Sequence, residues 1–124
     1  MIKVLLVDDA SFVREAIKNI LDNISEIEVI GECSDGNQVI PFLEQHAIDV
    51  ILMDYQMPKL NGIDTTKLVS NLFPEIKIIG VSFNNEQFIR DAFLANGASL
   101  FLSKDAIEPN ILISKIINCY STAH

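Results

Sequence analysis

Short runs rich in Val, Ile and Leu alternate along this chain with longer amphipathic stretches, and that alternation restricts the fold more than any other feature. Repeated strand-helix units of this kind build a parallel sheet, so the chain is expected to be an α/β domain. Strands are predicted over Ile2 to Val7, Ile27 to Glu32, Ile48 to Asp54, Ile76 to Ser82 and Ser99 to Leu102. Three of these are nearly continuous in Val, Ile and Leu, as strands covered on both faces require. The first helix is predicted to be capped by Ser11, with Arg14 to Asn23 in its body. Phe12, Ala16, Ile20 and Ile24 recur at four-residue spacing with Val13, Ile17 and Leu21 beside them, a stripe expected to pack on the sheet. Later helices are predicted over Gly36 to His46, Ile63 to Phe73, Asn85 to Asn96 and Pro109 to Tyr120, the last with proline in its first turn. A fully interior Pro41 would remove a backbone hydrogen bond at a cost of about 3 kcal/mol, so a kink or a late start is expected in the second helix.

The chain has 124 residues, the size of one ordinary domain, and no linker, repeat or low-complexity segment divides it, so residues 1–124 are read as a single domain. Its apolar stretches are far shorter than the roughly 20 residues that cross a bilayer, and Met1-Ile2-Lys3-Val4 carries neither charged leader nor cleavage site. A cytoplasmic protein with no membrane partner is expected. Cys33 and Cys119 lie far apart in no metal or redox spacing and read as reduced structural thiols. A formal charge of −8 repels phosphate backbones, so direct nucleic-acid binding by this chain is disfavoured. His46 and His124 have no ligand partners at useful spacing and read as solvent-facing.

In an open parallel sheet the ligand crevice lies beyond the carboxyl ends of the strands, where strand order reverses. The first predicted strand ends in Asp8-Asp9, the third in Asp54 and the fourth in Ser82, while Lys104 follows the fifth closely. Each residue alone has a bland reading: a helix cap or turn acid, a strand-end serine. Convergence on one edge outweighs those readings. Magnesium takes oxygen ligands, commonly one or two carboxylates plus phosphate oxygens, and Asp9 and Asp54 can supply them with Asp8 close by or acting through water. A carboxylate can also act as nucleophile toward an aligned phosphoryl donor, and Asp54 is the best placed. Magnesium, Lys104 and the Ser82 hydroxyl could then meet the charge spread over the phosphoryl oxygens. Three aspartates and one lysine leave two negative charges, which a divalent ion neutralises, so the reaction is expected to depend on magnesium.

The ordered set Val7-Asp8-Asp9, Leu52-Met53-Asp54-Tyr55-Gln56-Met57-Pro58, Gly62, Val81-Ser82 and Ser103-Lys104 resembles the receiver domains of two-component response regulators, over nearly the whole chain. The resemblance implies a doubly wound, flavodoxin-like sheet of strand order 2-1-3-4-5, for which a receiver is itself a standard example. It implies a phosphorelay switch rather than a turnover enzyme. Asp54 would accept phosphate from a sensor histidine kinase; Asp8, Asp9, Asp54 and the Gln56 backbone carbonyl would hold Mg2+; Ser82 and Lys104 would contact the phosphoryl group. The hydroxyl of Ser82 and the aromatic side chain of Phe101 would form the switch, and Gln56 and Asn84 would tune dephosphorylation. The fourth helix, fifth strand and fifth helix would form the partner or homodimer surface, where the apolar row Ile113, Ile116, Ile117 and Tyr120 exceeds what one sheet face needs.

Two positions depart from the common pattern. Phe101 stands where many receivers have tyrosine, so switching there rests on packing alone, and Lys104 is followed by Asp105 rather than proline, so a trans peptide is expected. Lys104-Asp105, Gly31-Glu32 and Asn96-Gly97-Ala98-Ser99 look most like the branch that precedes a helix-turn-helix DNA-binding domain. The output is therefore expected either on a separate protein or on a DNA-binding domain outside this chain. Rival readings fare worse. An aspartate-nucleophile phosphatase would want an acid where Gln56 stands, and a flavin carrier would want a hydroxyl and glycine phosphate loop where Asp8-Asp9-Ala10 stands. A receiver-like module that binds without phosphorylation is opposed by the complete set of acids, hydroxyl and lysine.

Overall fold

A computed structural model describes residues 1–83 and 86–122. The strands are β1 (Ile2–Val7), β2 (Ile27–Cys33), β3 (Val50–Asp54), β4 (Lys77–Ser82) and β5 (Leu100–Ser103). They form one parallel sheet in the order β2-β1-β3-β4-β5, as the resemblance implied. The helices are α1 (Ser11–Leu21), α2 (Val39–Gln45), α3 (Gly62–Leu72), α4 (Gln87–Ala95) and α5 (Pro109–Ser121), with 3-10 turns at Gly36–Gln38 and Lys104–Ala106.

Strand side chains alternate between two cores because successive residues point to opposite faces. Val4, Leu6, Val50, Leu52, Ile79 and Val81 pack with Ile17, Leu21, Leu112 and Ile116, which places α1 and α5 on one face. Leu5, Val7, Ile51, Met53 and Ile78 pack with Val39, Leu43, Val69, Ile89 and Phe93, which places α2, α3 and α4 on the other. Both thiols are buried and unpaired, Cys33 with its pKa pushed up to about 11 by burial, which suits structural residues.

Helix boundaries needed correction. Ser11 does not cap α1: the helix begins at Ser11 itself after Ala10, and no side chain caps it. The helix also ends at Leu21 rather than Asn23. The apolar stripe is narrower than expected, since Val13, Ile17, Leu21, Ile20 and Ile24 pack inward whereas Ala16 is exposed and Phe12 is 72% exposed. The second helix starts late, as Pro41 required. Proline sits third in α2, where a helical N–H has no intrahelical partner to lose. On α5, Ile116 is buried and Ile113, Ile117 and Tyr120 are partly buried against the core, so that row is largely core, and the exposed apolar side chains nearby are Phe88, Leu94 and Ile111. His46 is exposed, its ring stacked on Phe42 at 4.1 Å. His124 lies outside the described residues.

Candidate functional site

Register brings the strand ends side by side. Val7 pairs with Met53, Asp54 with Val81, and Ser82 with Ser103, so Asp8, Asp54, Ser82 and Lys104 emerge along one edge. Lys104 Nζ lies 2.6 Å from Asp8 Oδ2 and donates to Asp54 Oδ1 at 3.0 Å, with all three side chains no more than 8% exposed. One carboxylate oxygen from each of Asp8, Asp9 and Asp54 lies within 4.8 Å of the others. Asp9 is the exposed member and faces the solvent side of the cleft.

The electrostatics favour a cation. Burial pushes the Asp54 carboxyl up to about 6 and the charge of Asp8 adds to this, while the hydrogen bond and charge of Lys104 only partly offset it. Burial works against the Lys104 ammonium too, but its hydrogen bonds to Asp8 and Asp54 outweigh that and hold its pKa above the ordinary value. A cluster of oxygen donors with surplus negative charge in a desolvated cleft fits a hard divalent ion such as Mg2+.

Ser82 is buried at the end of β4 and shares the cleft with Asp54, Gln56, Phe83 and Lys104. The exposed Phe83 ring lies 5.1 Å from Lys104 Nζ, close enough for a cation–π contact. Gln56 is exposed at the rim, and Asn84 lies outside the described residues. Phe101 points inward and is 7% exposed; its ring lies 5.6 Å from Phe93, which meets Tyr55, the neighbour of Asp54, edge-on at 6.4 Å. An aromatic path therefore runs from beside Asp54 to β5. No described peptide bond is cis, so Lys104-Asp105 is trans as expected.

Sequence reading missed two supports of this site. Arg14 donates to the Asp8 carbonyl oxygen and to Glu32. Asp35 is buried and accepts from the backbone N–H groups of Lys59 and Leu60, both at 2.9 Å, and of Asn37. The only signal for Asp35 was an aspartate just before Gly36, a turn or cap position. Its long-range partners are 24 and 25 residues away and become visible only when the β3–α3 loop folds onto it. Burial alone would push the Asp35 carboxyl up, but the four N–H groups of Lys59, Leu60, Asn37 and Gly36 outweigh it and hold the pKa below the ordinary range. A depressed carboxylate stabilises the fold above its unfolded pKa, and the benefit is lost as pH falls through the folded value. Asp35→Asn is therefore expected to lose about 1–2 kcal/mol at pH 7 and to show a shallower decline in acid, read from urea midpoints at pH 7 and pH 3.

Comparison with known proteins agrees with this geometry. The family of the response regulator receiver domain matches residues 4–117. The response regulator UvrY of Escherichia coli K12 is 37% identical over 121 residues, covering 98% of this chain and 55% of the relative. The transcriptional regulatory protein DegU of Brevibacillus brevis is 34% identical over 104 residues, covering 84% and 44%. Among solved structures, the isolated receiver domain of RcsB from Salmonella enterica, determined with the phosphomimetic BeF3-, superposes with a TM-score of 0.85 at 27% identity, covering 94% of this chain and 86% of that one. The chain spans about half the length of the curated relatives it matches. No described helix is long and apolar enough to cross a membrane. Sheet order, the acidic cleft and the match over most of the chain converge on one conclusion: this chain belongs to the response regulator receiver domain family.

Proposed function

We propose that this chain is a phosphorylation switch in which Asp54 accepts a phosphoryl group from the phosphohistidine of a sensor kinase. A carboxylate oxygen of Asp54 forms the new P–O bond as the P–N bond breaks, and the electron pair leaves with the imidazole nitrogen. Asp8, Asp9, Asp54 and the Gln56 carbonyl hold Mg2+, which when bound supplies positive charge against the phosphoryl oxygens. Lys104 and the Ser82 hydroxyl complete that neutralisation. Movement of Ser82 toward the phosphoryl group opens space that the Phe101 ring answers by repacking, and the result is read at the face of α4, β5 and α5, where Phe88 and Ile111 are exposed. Gln56 at the rim of the cleft tunes dephosphorylation, a role that the resemblance also gives to Asn84, which lies outside the described residues.

The observation that carries this reading is the Lys104 ammonium held between two buried carboxylates beside a third. Because the chain spans about half of UvrY and of the transcriptional regulator DegU, we favour an output domain that binds DNA over a free-standing messenger. The test of the switch is intact mass after incubation with acetyl phosphate and Mg2+. One phosphoryl group is expected on the native chain, none on Asp54→Asn and none when EDTA replaces Mg2+. Modification that persists in Asp54→Asn would move the acceptor elsewhere.

A further inference from the structure

Asp8 is held at every polar atom that could let it move. Its N–H donates to the Cys33 carbonyl at 3.0 Å, its Oδ1 accepts from the Ala10 N–H at 2.9 Å, and its Oδ2 meets Lys104. The remaining group, its carbonyl oxygen, accepts from Arg14 Nη1 at 2.5 Å. The same guanidinium donates through Nε to Glu32 Oε1 at 2.9 Å, and Glu32 is also paired with Lys18 at 3.1 Å. Arg14 thus ties the first turn of α1 and the end of β2 to the backbone between the two loop aspartates.

We infer that Arg14 is a positioning residue for the cation site: with Glu32 as its anchor, it fixes the Asp8–Asp9 loop so that both carboxylates face Asp54. The inference deepens the proposed function and rests on its cation reading. Outer groups that orient a metal ligand commonly change affinity by 10–100-fold when removed. A guanidinium suits the task because its planar fork serves two acceptors at once, where an ammonium is a point charge on a flexible stem.

Charge alone predicts the opposite sign. A positive side chain close to three aspartates repels a divalent ion, so deleting it would tighten binding if Coulomb forces ruled. Glu32 offsets part of that charge at contact distance, and Arg14 bonds the Asp8 backbone directly, so the geometric role is the larger one.

The test titrates the chain with Mg2+ by calorimetry and with Mn2+ by electron paramagnetic resonance, in phosphate-free buffer, after circular dichroism has shown each variant folded at the working temperature. Arg14→Met is expected to weaken both ions about tenfold and Glu32→Gln about threefold. Arg14→Lys should fall between native and Arg14→Met. Glu15→Gln, which removes the same charge from an exposed acid 4.0 Å from Lys18, should leave both affinities unchanged. Binding by Arg14→Met that is tighter than native or within twofold of it would overturn the inference, as would Arg14→Lys equal to native or Glu15→Gln as weak as Glu32→Gln. Should Arg14→Met fail to fold, the other three variants decide on the same terms. A native chain that binds neither ion would sink the cation reading itself, which is a different result from native binding with an indifferent Arg14.

Discussion

In metal-free buffer at pH 8, Asp54→Asn is expected to be more stable than the native chain by about 2 kcal/mol, a rise in melting temperature of roughly 8 °C for a domain of this size. The native Asp54 carboxyl titrates near 6 in the fold, above its ordinary value of 3.8, because it is desolvated and lies beside Asp8. Between those two values the folded chain holds the extra proton, so native stability falls as pH rises from about 4 to about 6 and the full deficit is present above that. The full shift corresponds to about 3 kcal/mol, and part is returned because Asn leaves buried Lys104 with one counter-charge instead of two. At pH 4 the unfolded carboxyl is roughly half protonated and most of the advantage of Asn should already be gone, and below about pH 3, where both states are protonated, it should nearly vanish. Urea midpoints at pH 4 and pH 8 with EDTA check this, and an Asn variant less stable than native at pH 8 would show that Lys104 already neutralises the cluster. Adding Mg2+ should stabilise the native chain and leave the variant nearly unmoved. On the proposed function, activity and stability oppose each other here, since the repulsion that weakens the metal-free fold is what would attract the ion.

The parts of the fold written in local pattern were legible, and the parts set by tertiary packing were not. β1 was read to its ends because the segment Ile2 to Val7, apolar except for the exposed Lys3, is bounded by Asp8. The acids could be found for the same reason, since strands that stop abruptly at Asp8 and Asp54 leave carboxylates at the sheet edge. Strand order came from the resemblance, because alternation alone does not say which strand neighbours which. Phe12 was misread since hydrophobicity fixes the presence of a stripe better than its phase, and adjacent helical residues differ by about 100° around the axis. Arg14 was read only as part of the body of the first helix. Its partner Asp8 lies just past the end of β1 and its partner Glu32 lies on β2, and only the β1–β2 pairing brings them to one guanidinium.

Gly62 shows how a residue known only as part of a motif acquires a physical reason. Its N–H donates to the Tyr55 carbonyl at 2.8 Å, which closes the loop after β3 and returns the chain to the end of that strand as α3 begins. A Cβ at this position would lie 1.8 Å from the Asp54 carbonyl oxygen and 2.8 Å from its carbonyl carbon. Both are backbone atoms of the central strand, held by neighbours on either side, and no side-chain rotation relieves the overlap. Either α3 moves outward or Asp54 moves, and both loosen the site. Gly62→Ala is expected to cost about 3 kcal/mol or more, above the usual range for an added methyl because the obstacle is main chain. Gly31→Ala provides the contrast. There the nearest atoms, at 2.5 and 2.7 Å, belong to the half-buried ring of Phe42, a side chain that can turn aside, and a cost of about 1 kcal/mol is expected. Urea unfolding of both variants compares them directly. Equal losses would mean that the approach of α3 to Asp54 has slack, and the loop would then lose its claim to hold Asp54 in place.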